Sequence, residues 1–151
     1  MIIRRATMDD VPAIAEISRE FGYEPTAADV AVSLQDLLTR VDHAVFVAEL
    51  QGSVQGWGHA RINRQLESPR YAEIAGLVVT RSQRSQGIGA AIVGAIEQWA
   101  WSQGERSLRV RSNVVRERAH RFYLRQGYAE LKQQKTFVKP LSGAAEGPAK
   151  K

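Results

Sequence analysis

One stretch limits the folds open to this chain more than any other: Leu77-Val78-Val79-Thr80-Arg81-Ser82-Gln83-Arg84-Ser85-Gln86-Gly87-Ile88-Gly89-Ala90. An apolar, β-branched run reads as a buried strand, and it passes through a basic turn with two glycines directly into a helix. The helix is legible from its stripe. Ile88, Ala91, Ile92, Ala95, Ile96 and Trp99 recur at i, i+3, i+4, i+7, i+8 and i+11, with Gly104 placed as a C-terminal cap. At the start of such a helix the first N–H groups lack intrahelical acceptors and carry the positive end of the dipole. Gly87 and Gly89 let a ligand approach that backbone, and Arg81 and Arg84 add charge, so the turn is suited to a phosphate or pyrophosphate. The competing reading is that the glycines only allow a tight strand-to-helix turn.

Two nucleotide-binding patterns are excluded by the residues themselves. A Walker loop requires Gly-Lys-Ser/Thr, which is missing, and Gly87-Ile88-Gly89-Ala90-Ala91-Ile92 lacks the third glycine of a dinucleotide-binding turn. The segment resembles instead the coenzyme A loop of the GNAT superfamily of N-acetyltransferases, Gln/Arg-x-x-Gly-x-Gly/Ala after a Val-rich strand. A second stretch carries the same resemblance. Asn113-Val114-Val115-Arg116-Glu117-Arg118-Ala119-His120-Arg121-Phe122-Tyr123-Leu124-Arg125-Gln126-Gly127-Tyr128 is similar to the Asn-x5-Ala-x2-Phe-Tyr-x3-Gly-Phe/Tyr signature near the end of these enzymes, with wording close to that of aminoalkylphosphonate N-acetyltransferases.

The resemblance implies a GNAT fold over residues 1–141, acetyl-CoA as the cofactor, and cofactor contacts from Leu77, Val78, Val79, Arg84, Ser85, Gln86, Gly87, Ile88, Gly89, Ala90, Asn113, Arg116, Ala119 and Tyr123. It implies further that the N–H of Leu77 stabilises the oxyanion, that Val79 pairs with the pantetheine arm, and that Tyr123 protonates the departing thiolate. On a helix Arg116, Ala119, His120 and Tyr123 share a face, so the small Ala119 leaves space beside the phenol. Read without the family, Phe122 and Tyr123 are equally well aromatic core.

In chain order, residues 2–6 read as a strand, and Thr7 and Thr26 stand three residues before Asp10 and Asp29 as N-caps of two helices. Residues 43–50 and 54–63 form a hairpin across Gln51-Gly52-Ser53, and residues 71–80 continue the extended run. After the long helix, residues 107–113 alternate, with Arg109, Arg111 and Asn113 on one face. A helix over 116–126 ends at Gly127, and 128–141 has the length of two strands. Strands first in a run and then alternating with helices argue for a mixed α/β sheet covered on both faces. The edge of the last hairpin and the habit of the superfamily lead to the expectation of a homodimer.

Composition matters for what it removes. At 151 residues and 44% apolar content there is room for one domain, and no run approaches the roughly 18 apolar residues of a membrane span. Charges at Arg4 and Arg5 break any signal-peptide core, so the expected location is cytoplasmic. With no cysteine, neither a thiolate metal site nor an acyl-cysteine intermediate is available. His43, His59 and His120 have no metal-ligand spacing, so no metal is expected. Residues 142–151 are too poor in apolar groups to order, and are expected to form a disordered tail.

An amine acceptor is mostly ammonium at neutral pH and needs a base. Glu73, in Tyr71-Ala72-Glu73-Ile74, resembles by its placement the base glutamate of the histone-acetylating branch; the other roles open are an ion pair with an arginine, or water shuttling the proton. Trp57 and His59 alternate onto one strand face and are the candidates to border the acceptor. The resulting reading is direct acetyl transfer to a primary amine, either of a small molecule or of a protein lysine or N-terminus. The rival classes are a coenzyme A-binding regulatory module and, from the arginines between Arg106 and Arg125, a nucleic-acid-binding module; Glu105 and Glu117 interrupt that basic track, and no nucleic-acid partner is expected.

Overall fold

The strand that feeds the glycine turn lies inside a mixed five-stranded sheet of order β1-β2-β3-β4-β5. The computed structural model describes residues 1–112 and 114–142. Strands β1 (Ile2–Arg5), β2 (His43–Leu50), β3 (Ser53–Asn63) and β4 (Tyr71–Val79) pair antiparallel in sequence order, and β5 (Leu108–Val110) joins β4 in parallel. Helices α1 (Val11–Glu20) and α2 (Ala27–Leu38) follow β1, while α3 (Ile88–Ser102) is the crossover between β4 and β5. The Thr26 cap forms as read, whereas Thr7 precedes a short 3-10 turn, Met8–Asp10, and the N-cap of α1 is Asp10. Thr26 accepts from the Asp29 N–H while Asp29 accepts from the Thr26 N–H, and Asp10 accepts from the Thr7 N–H at the start of that 3-10 turn.

The two sheet faces are told apart by β3. Gly56, Gly58, Ala60 and Ile62 are buried, and Cβ positions built at Gly56 and Gly58 meet Ile88, Ile92 and Ile96, so this face lies under α3. Gly58 is required by packing: a methyl there would stand 2.5 Å from Ile92 Cγ2. The opposite face carries Trp57, His59, Arg61 and Asn63. Its core is Val45 and Val47 of β2 with Val11, Ile14 and Leu34 of α1 and α2, and Trp57 packs against that cluster.

The described residues from Ser112 onward belong to a second compact unit. Within it α4 (Glu117–Arg125) forms where the sequence places a helix and closes at Gly127, whose φ is +91°. The strand expected over 107–113 is shorter, Leu108–Val110, because its partner β4 bulges just beyond the last pair, Ile74 with Val110. The two strands expected over 128–141 do not form, and every residue from Ala129 to Ser142 is exposed. An isolated two-stranded hairpin is marginal in water, and Lys132, Lys135, Lys139 and Pro140 leave this one neither a continuous apolar face nor a full ladder of donors. That hairpin was the structural premise for the homodimer. Asn113 and the tail residues 143–151 lie outside the described residues.

Candidate active site

The site begins with a break in the sheet. The Thr80 N–H donates to the Gln55 carbonyl at 2.9 Å, which makes Gln55 and Thr80 a hydrogen-bonded pair. Antiparallel pairs alternate, so Val78 and Gly76 also bond to β3, while the N–H groups of Leu77 and Val79 point the other way. On that other side β5 pairs only with Ala72, Glu73 and Ile74. The register shift between His59 and Ala60, opposite Gly76 and Ile74, leaves Ala75 as the extra residue of a β-bulge. Past the bulge, Leu77 and Val79 offer N–H groups to an opening that no strand fills among the described residues. Val78, although expected to touch the cofactor, spends its backbone on β3 and is buried.

At the far end of β4 the turn takes the shape the sequence anticipates. Ser85 has φ +66°, and Gly87 is the N-cap of α3 with φ +80° and ψ 6°, the left-handed region glycine adopts without penalty. No side chain caps this helix, and its first internal bond runs from the Ala91 N–H to the Gly87 carbonyl. The N–H groups of Ile88, Gly89 and Ala90 therefore precede the helical ladder and face the turn. Ser85, Gln86 and Gly87 are exposed, and a Cβ at Gly87 would meet nothing within 4 Å. The turn is tied to the end of α1. Arg81 donates to the Glu20 carbonyl at 3.1 Å and through its own N–H to Glu20 Oε1, and the Arg84 guanidinium lies 5.6 Å above the Phe21 ring.

Trp57 and His59 do share one face, as their alternation predicts. The Trp57 indole covers Gly76: a Cβ there would stand 2.8 Å from the ring. Its Nε1–H donates to Ser18 Oγ at 3.1 Å, and that hydroxyl donates on to the Ile14 carbonyl, so the ring is fixed one residue from Leu77. His59 Nε2 lies 2.9 Å from His43 Nδ1, with the rings stacked. Burial, then the neighbouring His43 and Arg61 charges, push the His59 pKa down to about 4, so at neutral pH the ring is uncharged.

Glu73 is buried, 4% exposed, on this same face. Its Oε1 accepts from Arg61 at 3.1 Å and its Oε2 from Asn63 at 3.3 Å, while an Arg111 nitrogen stands 3.8 Å from Oε2. Tyr71 completes the group. Its hydroxyl accepts from Asn63 at 3.0 Å, and the Arg109 guanidinium lies 3.9 Å from its ring centroid. A carboxylate has about four acceptor positions and two are filled by hydrogen bonds from Arg61 and Asn63, which leaves capacity for a further N–H donor on each oxygen. Sequence reasoning assigned no role to Arg61 or Asn63, and counted Arg111 only among the arginines of the rival nucleic-acid-binding reading. The alternation of Arg109 and Arg111 was the available signal.

In the second unit, Ala119, His120 and Tyr123 lie on α4, and the Tyr123 ring makes edge contacts with Phe122 and Tyr128 at 5.1 and 5.7 Å. The Tyr128 N–H donates to the Tyr123 carbonyl, fixing the turn after the helix. Arg116 occupies the N-cap position of α4. Among the described residues no group of three His, Asp or Glu side chains could hold a metal ion.

Residues 11–128 match the family model for the acetyltransferase (GNAT) family. An aminoglycoside N(6')-acetyltransferase type 1 of Stenotrophomonas maltophilia is 28% identical over 148 residues, covering 95% of each chain. An aminoalkylphosphonate N-acetyltransferase of Salmonella typhimurium is 28% identical over 134 residues, 85% of this chain and 84% of the other. In fold, the chain is similar to AAC(6')-Iy solved with the bisubstrate analogue CoA-S-monomethyl-acetylneamine, with a TM-score of 0.82 and 17% identity over 92% of this chain and 97% of that one.

Proposed function

The chain belongs to the GNAT acetyltransferase family, and from that premise we propose that it acetylates the primary amine of a small molecule by direct attack within a ternary complex. Acetyl-CoA, the cofactor of the family, supplies the thioester whose acetyl group is transferred. The opening beside β4 carries the proposal: two outward N–H groups, from Leu77 and Val79, lead to an uncapped α3 N-terminus whose N–H groups and dipole suit a pyrophosphate.

Within this reading each residue has a defined task. The Leu77 N–H donates to the oxygen on which charge develops, a contribution worth about 10²–10³ in rate for one such donor. The Val79 N–H orients the pantetheine arm, and the loop from Arg84 to Ala90 holds the pyrophosphate. Glu73 accepts the proton of the ammonium through its remaining acceptor capacity, and Tyr123 returns a proton to the sulfur. Asn113, Arg116 and Ala119 line the cofactor by the family correspondence. Holding both reactants side by side replaces an encounter in solution with an oriented attack. The described residues contain no cysteine, so no acyl-thioester enzyme is invoked.

The small-molecule acceptor is preferred over a protein lysine because the curated relatives named above act, by their names, on aminoglycosides and aminoalkylphosphonates. No helix among the described residues is long and apolar enough to cross a membrane, which fits an enzyme working on dissolved amines. We also propose a homodimer, now resting on Leu131, Phe137, Val138 and Leu141, exposed along 128–141. The test of function is calorimetric titration with acetyl-CoA followed by thiol release over an amine panel. Saturable binding with amine-dependent thiol release is expected; no binding would remove the reading. Light scattering at micromolar concentration checks the dimer, and a monomer mass would refute it.

A further inference from the structure

We propose that the acceptor is an amine carrying an anionic group, and that Arg111 together with Arg61 binds that group; this rests on the acetyltransferase reading above. The charge count at the bulge end of β4 carries it. Arg61 and Arg111 face one carboxylate, Glu73, while Arg109, the register partner of Glu73 in β5, lies over the Tyr71 ring, so among these side chains three positive charges stand with one negative and two remain. The next ion pair along the same edge, Arg64 with Asp42 at 3.5 Å, is neutral within itself, and His59 beside the cluster is uncharged at neutral pH.

Two of these guanidiniums remain reachable. The Arg61 and Arg111 side chains are 40% and 62% exposed, and among the described residues the polar contacts of Arg111 are long, 3.8 Å to Glu73 and 3.5 Å to the Tyr71 hydroxyl. Arg61 spends one bond on Glu73, and its Nε, closed off from solvent, has no acceptor among the described residues. A guanidinium presents five donors in a fork that fits two oxygens of a carboxylate, phosphonate or phosphate. Glu73, 5% exposed in its side chain, pairs with Arg61 at 3.1 Å and stands 3.8 Å from Arg111, so the two guanidiniums share one carboxylate.

The cluster is also in the wrong place to serve the cofactor's phosphates. Glu73 lies near the start of β4, and the glycine turn follows the end of the strand at Val79, six residues or roughly 20 Å further on at strand rise. The Leu77 N–H lies between them, on the same side as the opening. An amine at Leu77 with its anion toward Arg111 would span from the reacting carbonyl to the cluster. A polycation entering here would meet the two uncompensated charges instead, which costs association rate and affinity.

The experiment compares matched amines of equal length bearing a carboxylate, a phosphonate, a phosphate ester or a neutral hydroxyl, together with an aminoglycoside, and follows thiol release. Wild type is expected to show kcat/KM at least tenfold higher for one anionic series than for the neutral amine, with the advantage shrinking as salt rises. The best of the three anions identifies the oxyacid. Arg111→Ala should reduce the ratio of anionic to neutral kcat/KM about ten- to a hundredfold, chiefly through the KM of the anionic amine; Arg111→Lys should restore part of it. A purely structural Arg111 would move all amines together. Preference for the neutral amine or the aminoglycoside, in a protein that binds acetyl-CoA, overturns the anionic assignment and leaves the acetyltransferase reading standing. Failure to bind acetyl-CoA in a parallel titration overturns both.

Discussion

Replacing Glu73 by glutamine tests the chemistry at its centre, because the substitution keeps shape and removes the group proposed to take the proton. The structural cost comes first. The side chain is 5% exposed, and it would lose its charge toward Arg61 and Arg111 while turning one amide N–H₂ toward donors. Breaking a fully buried pair costs several kcal/mol, but these arginines are 40% and 62% exposed and solvent screens them, so a loss of about 1–2 kcal/mol is expected. For a chain of this length that lowers Tm by about 2–8 °C, and the protein stays folded at 25 °C. The catalytic cost is separate. General-base loss of about 10² in kcat corresponds to about 2.7 kcal/mol in the barrier. Acetyl-CoA affinity should hold, and the residual rate should climb with pH as the amine deprotonates unaided. Thiol release across pH 6–10, with calorimetry at one pH, measures both. If the Glu73→Gln profile overlays wild type at equal kcat, Glu73 has no part in proton transfer and ordered water carries it.

Gly87→Val places a β-branched residue at φ +80° with no atom to clash against, so the strain of about 1–2 kcal/mol falls on the loop; acetyl-CoA Kd should rise at least tenfold with circular dichroism unchanged, and an unaltered Kd would reduce the loop to a turn. Gly58→Ala drives a methyl to 2.5 Å from Ile92, so urea unfolding should reveal a loss of about 1–3 kcal/mol; an unmoved midpoint would contradict the close approach of α3. His59 titrates near pH 6.5 when unfolded and near 4 when folded, so the unfolded chain binds more protons between those values. Its contribution is complete above about pH 6.5 and is lost as pH falls toward 4, up to about 3 kcal/mol. Urea titrations of wild type and His59→Asn at pH 7 and 4.5 should diverge by that trend, and parallel losses would rule His59 out as the cause.

Much of the site was legible because its signals are local. The strand, turn and helix from Leu77 to Trp99 follow from apolar spacing and two glycines, and the cap at Thr26 follows from an acid three residues on. The common face of Trp57 and His59 follows from strand alternation alone. What the tertiary structure decided depends on which distant strands meet and in what register. One extra residue at Ala75 turns the Leu77 and Val79 N–H groups toward an opening, and no periodicity in β4 announces it. Glu73 reads as a lone acid until pairing sets Arg61 opposite it and the end of β5 brings Arg111 beside it, which exposes the excess of positive charge. His43 meets His59 only through the β2–β3 register, and Trp57 reaches Gly76 only because Ser18 of α1 fixes its indole. The sequence by itself determined which elements form, since hydrogen bonding and side-chain spacing within a helix or strand are satisfied over a few neighbouring residues. Where charge accumulates and where backbone donors stay open is set by long-range pairing, and residues 128–141 show the limit: length and apolar content allow strands there, but a strand needs a partner to accept its hydrogen bonds.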